Sequence, residues 1–203
     1  KIHNIDQRIK AGEYLFSNRE STFTLQRKFI EGDVFYRKLQ LLEGMTTSEI
    51  YELGKSEGIV DDINGDLETL RSKLNIIGQT EGLFFPDTFY YKKGDSFSSL
   101  LKRALDRQKT AYLNLWDSRQ KDLPYTSFIE AITLASIIEK EGLEKEMIAG
   151  VFINRLRKNM KLQSDPTVIY ALGSRFDGNI TRSHLRLDNP YNTYRYKGLP
   201  PGP

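Results

Sequence analysis

The stretch Ser127–Glu141, SFIEAITLASIIEKE, has the pattern of an amphipathic helix with a defined start. Ser127 is a suitable N-cap, and Glu130, three positions later, completes a capping box. Apolar residues then recur at helical spacing; they are Phe128, Ala131, Ile132, Ala135 and Ile138. We therefore predict a helix over this stretch with one apolar stripe that faces the interior.

Glu139 falls on this predicted apolar stripe, whereas Glu141 is expected to face water. At ~100° per residue, Glu139 lies within about 40° of Ile132 around the helix axis. Removal of a carboxyl group from water raises its pKa and favours the neutral form, which a general acid requires. The alternative is a structural core glutamate that is ion-paired with Arg155 or Arg182.

The composition excludes several classes of site. The chain has 203 residues, a net charge of +3 and no cysteine, so disulfides and thiolate metal sites are excluded. His3 and His184 are the only histidines, which argues against a metal site or a Ser-His-Asp triad. We expect no metal and no cofactor. No Lys/Arg run predicts nucleic-acid binding, although the mild positive charge suits an anionic polymer.

The pattern of predicted elements indicates an α+β fold with two subdomains. Residues 1–32 are predicted as short extended pieces, at 9–15 and 22–26, with a helix over 21–30 as the alternative. A strand, two helices and a strand follow at about 34–42, 47–55, 66–74 and 88–91. We assign residues 1–95 to this N-terminal subdomain. No apolar run is long enough to span a membrane, and no signal peptide is visible.

Residues 96–203 are predicted to form a mainly helical subdomain with irregular binding loops. Helices are expected from about 96 to 119, 127 to 141 and 144 to 158, the last with an apolar stripe that includes Met147 and Val151. A short helix over 167–172 would be capped by Asp165, with Pro166 in its first position. Loops held by a rigid helical frame usually carry binding groups.

A series of motifs is spread along the chain in a characteristic order. They are EGLFFPDT at 81–88, ASIIEKE at 135–141, VFINRL at 151–156, LQSDPTVIY at 162–170, YNTY at 191–194 and GLPPG at 198–202. This ordered set closely resembles the endolytic murein transglycosylases, the YceG-like family, across roughly residues 9–203.

The resemblance implies a lytic transglycosylase that cuts the bond between N-acetylmuramic acid and N-acetylglucosamine within peptidoglycan strands. Glu139 would act alone as acid and then base, leaving 1,6-anhydro ends. The implied role is termination of nascent strands, with cell-wall synthesis proteins as further partners. The strand-helix-helix-strand unit, with its turn at Glu43–Ile50, would be LysM-like and would either bind glycan or position the catalytic half.

Family members normally carry an N-terminal membrane anchor and a further C-terminal segment. The chain begins at Lys1 without a methionine and ends at Pro203. We therefore expect a piece of a longer protein, truncated at its C-terminus, whose bacterial cell-membrane anchor lies outside this sequence. The domain itself would face the periplasm or the cell exterior.

We expect the substrate contacts to come mainly from the C-terminal loops, where aromatic faces suit sugar rings and polar tips suit hydroxyl groups. The predicted substrate-binding residues are Asn154, Gln163, Asp165, Thr167, Tyr191, Asn192 and Tyr194. For two of them a structural role stays open: Asp165 as a helix cap and Asn192 in shaping a turn.

Two other functions remain open. One is a peptidoglycan-binding or scaffold module without turnover. The other is ordinary hydrolysis, in which Asp165 would position the attacking water.

Overall fold

The computed structural model describes residues 9–203, which form seven α-helices and one two-stranded sheet. The elements are α1 (Thr22–Glu31), β1 (Arg37–Gln40), α2 (Thr47–Ser56), α3 (Leu67–Leu74), β2 (Thr88–Tyr91), α4 (Phe97–Leu115), α5 (Phe128–Glu141), α6 (Lys145–Arg157) and α7 (Asp165–Leu172). Two 3₁₀ turns, Gly173–Arg175 and His184–Arg186, lie in the C-terminal loops. This mixed content agrees with the predicted α+β class.

The first described element is a helix, so the extended segment predicted over 22–26 is wrong and the helical alternative holds. Ser21 caps α1 by accepting a hydrogen bond from the Thr24 N–H at 3.2 Å. Gly32 ends the helix in the left-handed region, at φ 74°. Residues 9–15 form no strand either, and His3 lies outside the described residues.

The two strands pair antiparallel, with Arg37 opposite Tyr91 and Gln40 opposite Thr88. β1 is shorter than the predicted strand over 34–42. Its burial alternates, because Leu39 points into the core while its neighbours are exposed. Since α2 and α3 separate the strands in sequence, the predicted order of strand, helix, helix and strand is confirmed.

The larger hydrophobic core lies between this sheet and helices α2, α3 and α4. Leu70, Leu100 and Leu101 are fully buried in it. The first half of α4 therefore packs with the N-terminal part of the chain. The division into 1–95 and 96–203 stays a prediction.

Helix α4 ends at Leu115 rather than at the predicted residue 119. Its last turns do not pack against the larger core. Leu115 is therefore 65% exposed, although the pattern predicted it to be buried. Aromatic contacts link this end to α5 instead, with the Tyr112 and Phe128 ring centroids 4.4 Å apart. Neither α4 nor another helix within residues 9–203 is long and apolar enough to cross a membrane.

A smaller core joins α5, α6 and the segment before α7. Its buried residues are Leu134, Ile137, Phe152 and Leu162. The predicted capping box of α5 is confirmed, because Ser127 accepts from the Glu130 N–H and Glu130 accepts from the Ser127 N–H. The predicted stripe of α6 is wrong at Met147 and Val151, which are 68% and 50% exposed, because only the Phe152 side of α6 meets α5.

Asp62 ties the end of α3 to the start of α4. Its carboxylate accepts hydrogen bonds from Lys73 Nζ at 2.6 Å and from the Ser98 backbone N–H at 2.9 Å. Burial opposes ionisation, but the hydrogen bonds from Lys73 and Ser98 outweigh it and lower the pKa of the Asp62 carboxyl to about 2.

We expect Asp62→Asn to lower the free energy of unfolding by about 1–2 kcal/mol at neutral pH, because the amide cannot form the same charge-assisted hydrogen bonds. The folded pKa is depressed, so this contribution is fully present above the unfolded value of 3.8 and is lost as the pH falls through about 2. Urea unfolding from neutral pH to about pH 2 should show the difference shrinking.

The matched control is Asp106→Asn, because Asp106 is 53% exposed in a surface ion pair with Lys102. We expect it to change stability little at any pH. A difference between wild type and Asp62→Asn that stays constant down to pH 2 would contradict the assigned coupling.

Candidate active site

A groove of about 340 Å³ lies between the two halves of the protein. The N-terminal half contributes the turn before α2, the start of α2 and the segment around Glu81. The C-terminal half contributes α5, the start of α7 and residues near Pro203. Apolar side chains form part of the wall, among them Phe84 and Phe85. A cleft with apolar walls and a few polar groups suits an organic ligand.

Two residues of the predicted apolar stripe of α5 face this groove and not the core. Ile132 and Ala135 line the groove, and Ala135 is exposed. The core side is formed by Leu134 and Ile137, which are 3% and 4% exposed. The predicted direction of the stripe is therefore wrong for Ile132 and Ala135, whereas Ile138 packs against the smaller core. α5 is apolar on two sides, and only one of them packs against α6.

Glu139 opens onto the groove with 28% of its side chain exposed. Its Oε2 is paired with the ammonium group of Lys145, the first residue of α6. Arg155 and Arg182, which were considered from the sequence as ion-pair partners of Glu139, do not pair with it. Arg155 donates to the Leu162 carbonyl, and Arg182 is exposed. The Glu139 carboxyl is thus partly exposed to solvent and is not paired with Arg155 or Arg182.

The turn before α2 approaches Glu139 closely at Gly44. This glycine has φ 73°, in the left-handed region. A Cβ atom there would lie 2.8 Å from Lys140 Cε and 3.4 Å from Glu139 Cγ. Glycine is therefore favoured mainly by the left-handed backbone conformation, because the close contact is with the flexible end of the Lys140 side chain.

Thr167 and Tyr191, also predicted as site residues, line the same groove as Glu139. Thr167 is 4% exposed, and its Oγ1 donates to the Ser164 carbonyl at 2.7 Å. The Tyr191 ring lies 4.7 Å from the Tyr170 ring. Thr167 therefore mainly holds its own loop, while Tyr191 and Tyr170 offer an aromatic surface.

Asp165 and Tyr194 are bonded to each other. The Tyr194 hydroxyl donates to Asp165 Oδ1 at 2.6 Å, and this hydrogen bond, together with burial, raises the pKa of Tyr194 to about 12. The interpretation of Asp165 as a helix cap is wrong, because Ser164 is the N-cap and no side-chain cap bond forms. This pair lies outside the residues that line the groove.

The remaining predicted residues also lie away from the groove lining. Asn192 is fully buried, and its Nδ2 donates to the carbonyls of Leu185 and Leu187 at 3.1 and 2.8 Å. Gln163 is exposed with φ 53°, and Asn154 is exposed on α6. The contacts of Asn192 favour the alternative in which it shapes the loop.

Glu81 is a groove residue that the sequence analysis did not assign to the site. Its Oε2 accepts hydrogen bonds from the backbone N–H and Oγ1 of Thr47, at 2.8 and 3.2 Å. Burial raises the pKa of the Glu81 carboxyl, against the effect of these hydrogen bonds. Burial also raises the pKa of Tyr170, to about 12. The motif at 81–88 was the one sequence signal for Glu81.

Within the described part of the chain, no cluster of three or more histidine, cysteine, aspartate or glutamate side chains could hold a metal ion. His184 lies in a 3₁₀ turn, where its Nδ1 accepts a hydrogen bond from the Thr181 N–H at 3.3 Å. The polar groups of the groove are thus carboxyl, hydroxyl, amide and ammonium groups.

Comparisons with known proteins point to one family. The YceG-like family profile matches residues 1–203. An endolytic murein transglycosylase of Bacillus subtilis is 40% identical over 132 residues, which is 64% of this chain and 36% of that protein. An endolytic murein transglycosylase of Streptococcus pneumoniae is 28% identical over 237 residues, which cover 96% of this chain and 42% of that protein. The chain therefore spans less than half the length of these relatives.

A crystal structure of a Listeria monocytogenes protein described as yceG-like is similar in fold. The two chains are 32% identical with a TM-score of 0.67. The match covers 98% of this chain and 73% of that one. The whole described fold, and not a single motif, is therefore shared.

We expect Asn192→Ala to lower the free energy of unfolding by about 2–4 kcal/mol, because the side chain is fully buried and the two carbonyls to which it donates lose their donor. Asn154→Ala is the matched control and should change it by no more than about 0.5 kcal/mol, since Asn154 is exposed. Urea unfolding measures both. Equal effects would contradict a loop-shaping role for Asn192.

Proposed function

The chain belongs to the YceG-like family, and from this membership we propose that it forms the catalytic groove of an endolytic murein transglycosylase. The observation that carries the proposal is the position of Glu139, half-buried on α5 and open to a groove that both halves of the protein line. The substrate would be a peptidoglycan strand lying in that groove.

In the proposed reaction, protonated Glu139 gives its proton to the oxygen that links N-acetylmuramic acid to the next sugar. The bond from that oxygen to the anomeric carbon breaks, and positive charge develops on the muramic acid ring. The C6 hydroxyl of the same sugar then attacks its anomeric carbon, and Glu139 takes the hydroxyl proton. No water is consumed, because the nucleophile is already tethered to the reacting sugar.

Lys145 supports this cycle through its contact with Glu139 Oε2. When Glu139 loses its proton it becomes an anion, and the ammonium of Lys145 stabilises that anion at close range. Gly44, on the opposite wall, leaves the carboxyl accessible from the groove. We therefore assign Lys145 a positioning and charge-stabilising role.

The predicted binding residues contribute unequally to this proposal. Tyr191, with Tyr170 beside it, supplies an aromatic surface in the groove on which a sugar ring can lie. Thr167 and Asn192 keep the loops in place through bonds within the protein. Four of the predicted residues would contact sugars only beyond the groove itself; they are Asp165, Tyr194, Gln163 and Asn154. The Asp165–Tyr194 hydrogen bond disfavours Asp165 as the residue that positions a hydrolytic water.

We further propose that the unit from β1 to β2 is LysM-like. Its antiparallel strands and two intervening helices support this assignment. Because the turn at Gly44 and the start of α2 line the groove, the unit would form one of its walls. A cell-wall substrate would place the domain outside the cytoplasm. Attachment through a membrane anchor, and contacts with cell-wall synthesis proteins, stay predictions from the resemblance.

Replacement of Glu139 by Gln should lower the release of anhydro-muramyl products from purified sacculi by about 10²–10⁴-fold, because the amide cannot transfer the proton. Glu144→Gln is the control, since Glu144 is an exposed residue that precedes α6 without a side-chain cap bond. It should retain activity. Anhydro product at near wild-type rate from Glu139→Gln would show that another residue is the acid.

The mass of the released product separates the proposed reaction from the alternatives. We expect every new muramyl end to be one water lighter than a hydrolytic end, because the C6 hydroxyl is the nucleophile. Mass spectrometry of soluble muropeptides measures this. Hydrated ends would indicate a hydrolase, and glycan binding without any released product would indicate a binding module.

A further inference from the structure

The carboxyl groups of Glu81 and Glu139 face the same groove from different surroundings. Glu139 is paired with the ammonium of Lys145. The partners of Glu81 are the backbone N–H and hydroxyl of Thr47, and no ion pair involves Glu81 within residues 9–203. Carboxyl groups with such different partners in one site usually have different roles.

The backbone beside Glu81 is held rigidly. Gln108, which is 7% exposed, donates from Nε2 to the Gly82 carbonyl at 3.2 Å. A Cβ atom on Gly82 would lie 2.6 Å from Pro203 Cγ and 2.8 Å from Ile132 Cγ2. Glu81 is therefore supported where the N-terminal half meets α5 and the end of the chain. Such support suits a side chain that must hold a ligand in one position.

The two oxygens of Glu81 are not equivalent. Oε2 accepts hydrogen bonds from the Thr47 N–H and hydroxyl, and the backbone N–H, which can only donate, favours Oε2 as the acceptor oxygen of the neutral acid as well. Oε1 makes no hydrogen bond to the described residues, so in the neutral acid the proton resides on Oε1. The group then offers one O–H donor to the groove.

We propose that Glu81 is a substrate-binding residue whose Oε1 donates a hydrogen bond to the carbonyl oxygen of an acetamido group on an N-acetylated sugar. The proposal rests on the proposed function, since it takes a glycan as the occupant of the groove. An amide carbonyl is the strongest neutral acceptor that such a glycan carries. Ile132, next to Gly82, offers an apolar surface for the acetamido methyl group.

The surroundings of Glu81 make its neutral form easier to reach than that of a carboxyl group in water. Burial raises the pKa of its carboxyl, and repulsion from Glu49 adds to this effect, while the hydrogen bonds from Thr47 oppose it. A sugar that covers the groove removes further water and shifts the balance in the same direction.

The test compares two neutral tetrasaccharides that differ at the acetamido group, chitotetraose and cellotetraose, by calorimetric titration. The wild-type chain should bind chitotetraose more tightly. Glu81→Gln should keep this preference within about twofold, because its amide oxygen can accept from Thr47 while its NH₂ donates to the sugar. Glu81→Met, which has no donor, should lose about 5–10-fold of the preference.

Two further variants serve as controls. Glu52 is an exposed carboxylate on α2 outside the groove lining, so Glu52→Met should keep the preference. Glu81→Asp withdraws the carboxyl by one methylene and should lose the preference, which keeps the proposal testable if Glu81→Met does not fold. Thermal unfolding of each variant establishes which of them are folded.

Three outcomes would overturn the proposal. They are no preference in the wild type, a preference that survives in a folded Glu81→Met or Glu81→Asp, and a loss in Glu81→Gln as large as in Glu81→Met. Anhydro product released from sacculi by the wild-type chain, measured in parallel, reports on the proposed function separately. Turnover without the acetamido preference would therefore reject only the role of Glu81.

Discussion

Helix α5 packs against α6 on one side and lines the groove on another, and the site depends on which residues face each of them. Leu134 and Ile137 complete the smaller core against α6, while Ile132 and Glu139 face the groove. Successive residues are ~100° apart, so a shift of one residue in packing would turn Glu139 away from the groove. The capping box at Ser127 fixes where the helix begins and therefore helps to fix this register.

Two glycines lie where the two halves of the protein meet beside the groove. Gly82 lies against Ile132 and Pro203, and Gly44 lies against Glu139 and Lys140. A larger side chain at Gly82 would clash with Ile132 and Pro203, whereas at Gly44 the left-handed backbone conformation is what favours glycine. Each half thus supplies one wall, and the chemistry of the site is assembled only when they are placed together.

The electrostatics of the groove follow from what each carboxyl has beside it. Glu139 has an ammonium partner, which compensates its charge while part of the side chain stays in water. Glu81 has only neutral donors from Thr47. A charge without a cationic partner is costly to bury, and burial raises the pKa of the Glu81 carboxyl. The two carboxyl groups therefore have different electrostatic surroundings within one groove.

Local features were predictable from the sequence because their causes are local. The capping box of α5, the strand-helix-helix-strand order and Glu139 as the candidate acid all follow from patterns within a few residues or from linear motifs. The exposure of Met147 on α6 and of Leu115 at the end of α4 was not predictable, because the helical periodicity of apolar residues does not show where a core ends. For the same reason the contacts of Asn192 within its loop could not be foreseen.

The sequence alone predicts the type and order of most elements, the family, and Glu139 as the candidate acid. The side of α5 that meets the core, the pairing of Lys145 with Glu139 and the position of Glu81 in the groove are visible only in the folded chain. The physical reason is that periodicity and capping act over a few residues, whereas burial and charge pairing depend on residues far apart in the chain. Glu81 and Thr47 are 34 positions apart and meet only when the N-terminal half has folded.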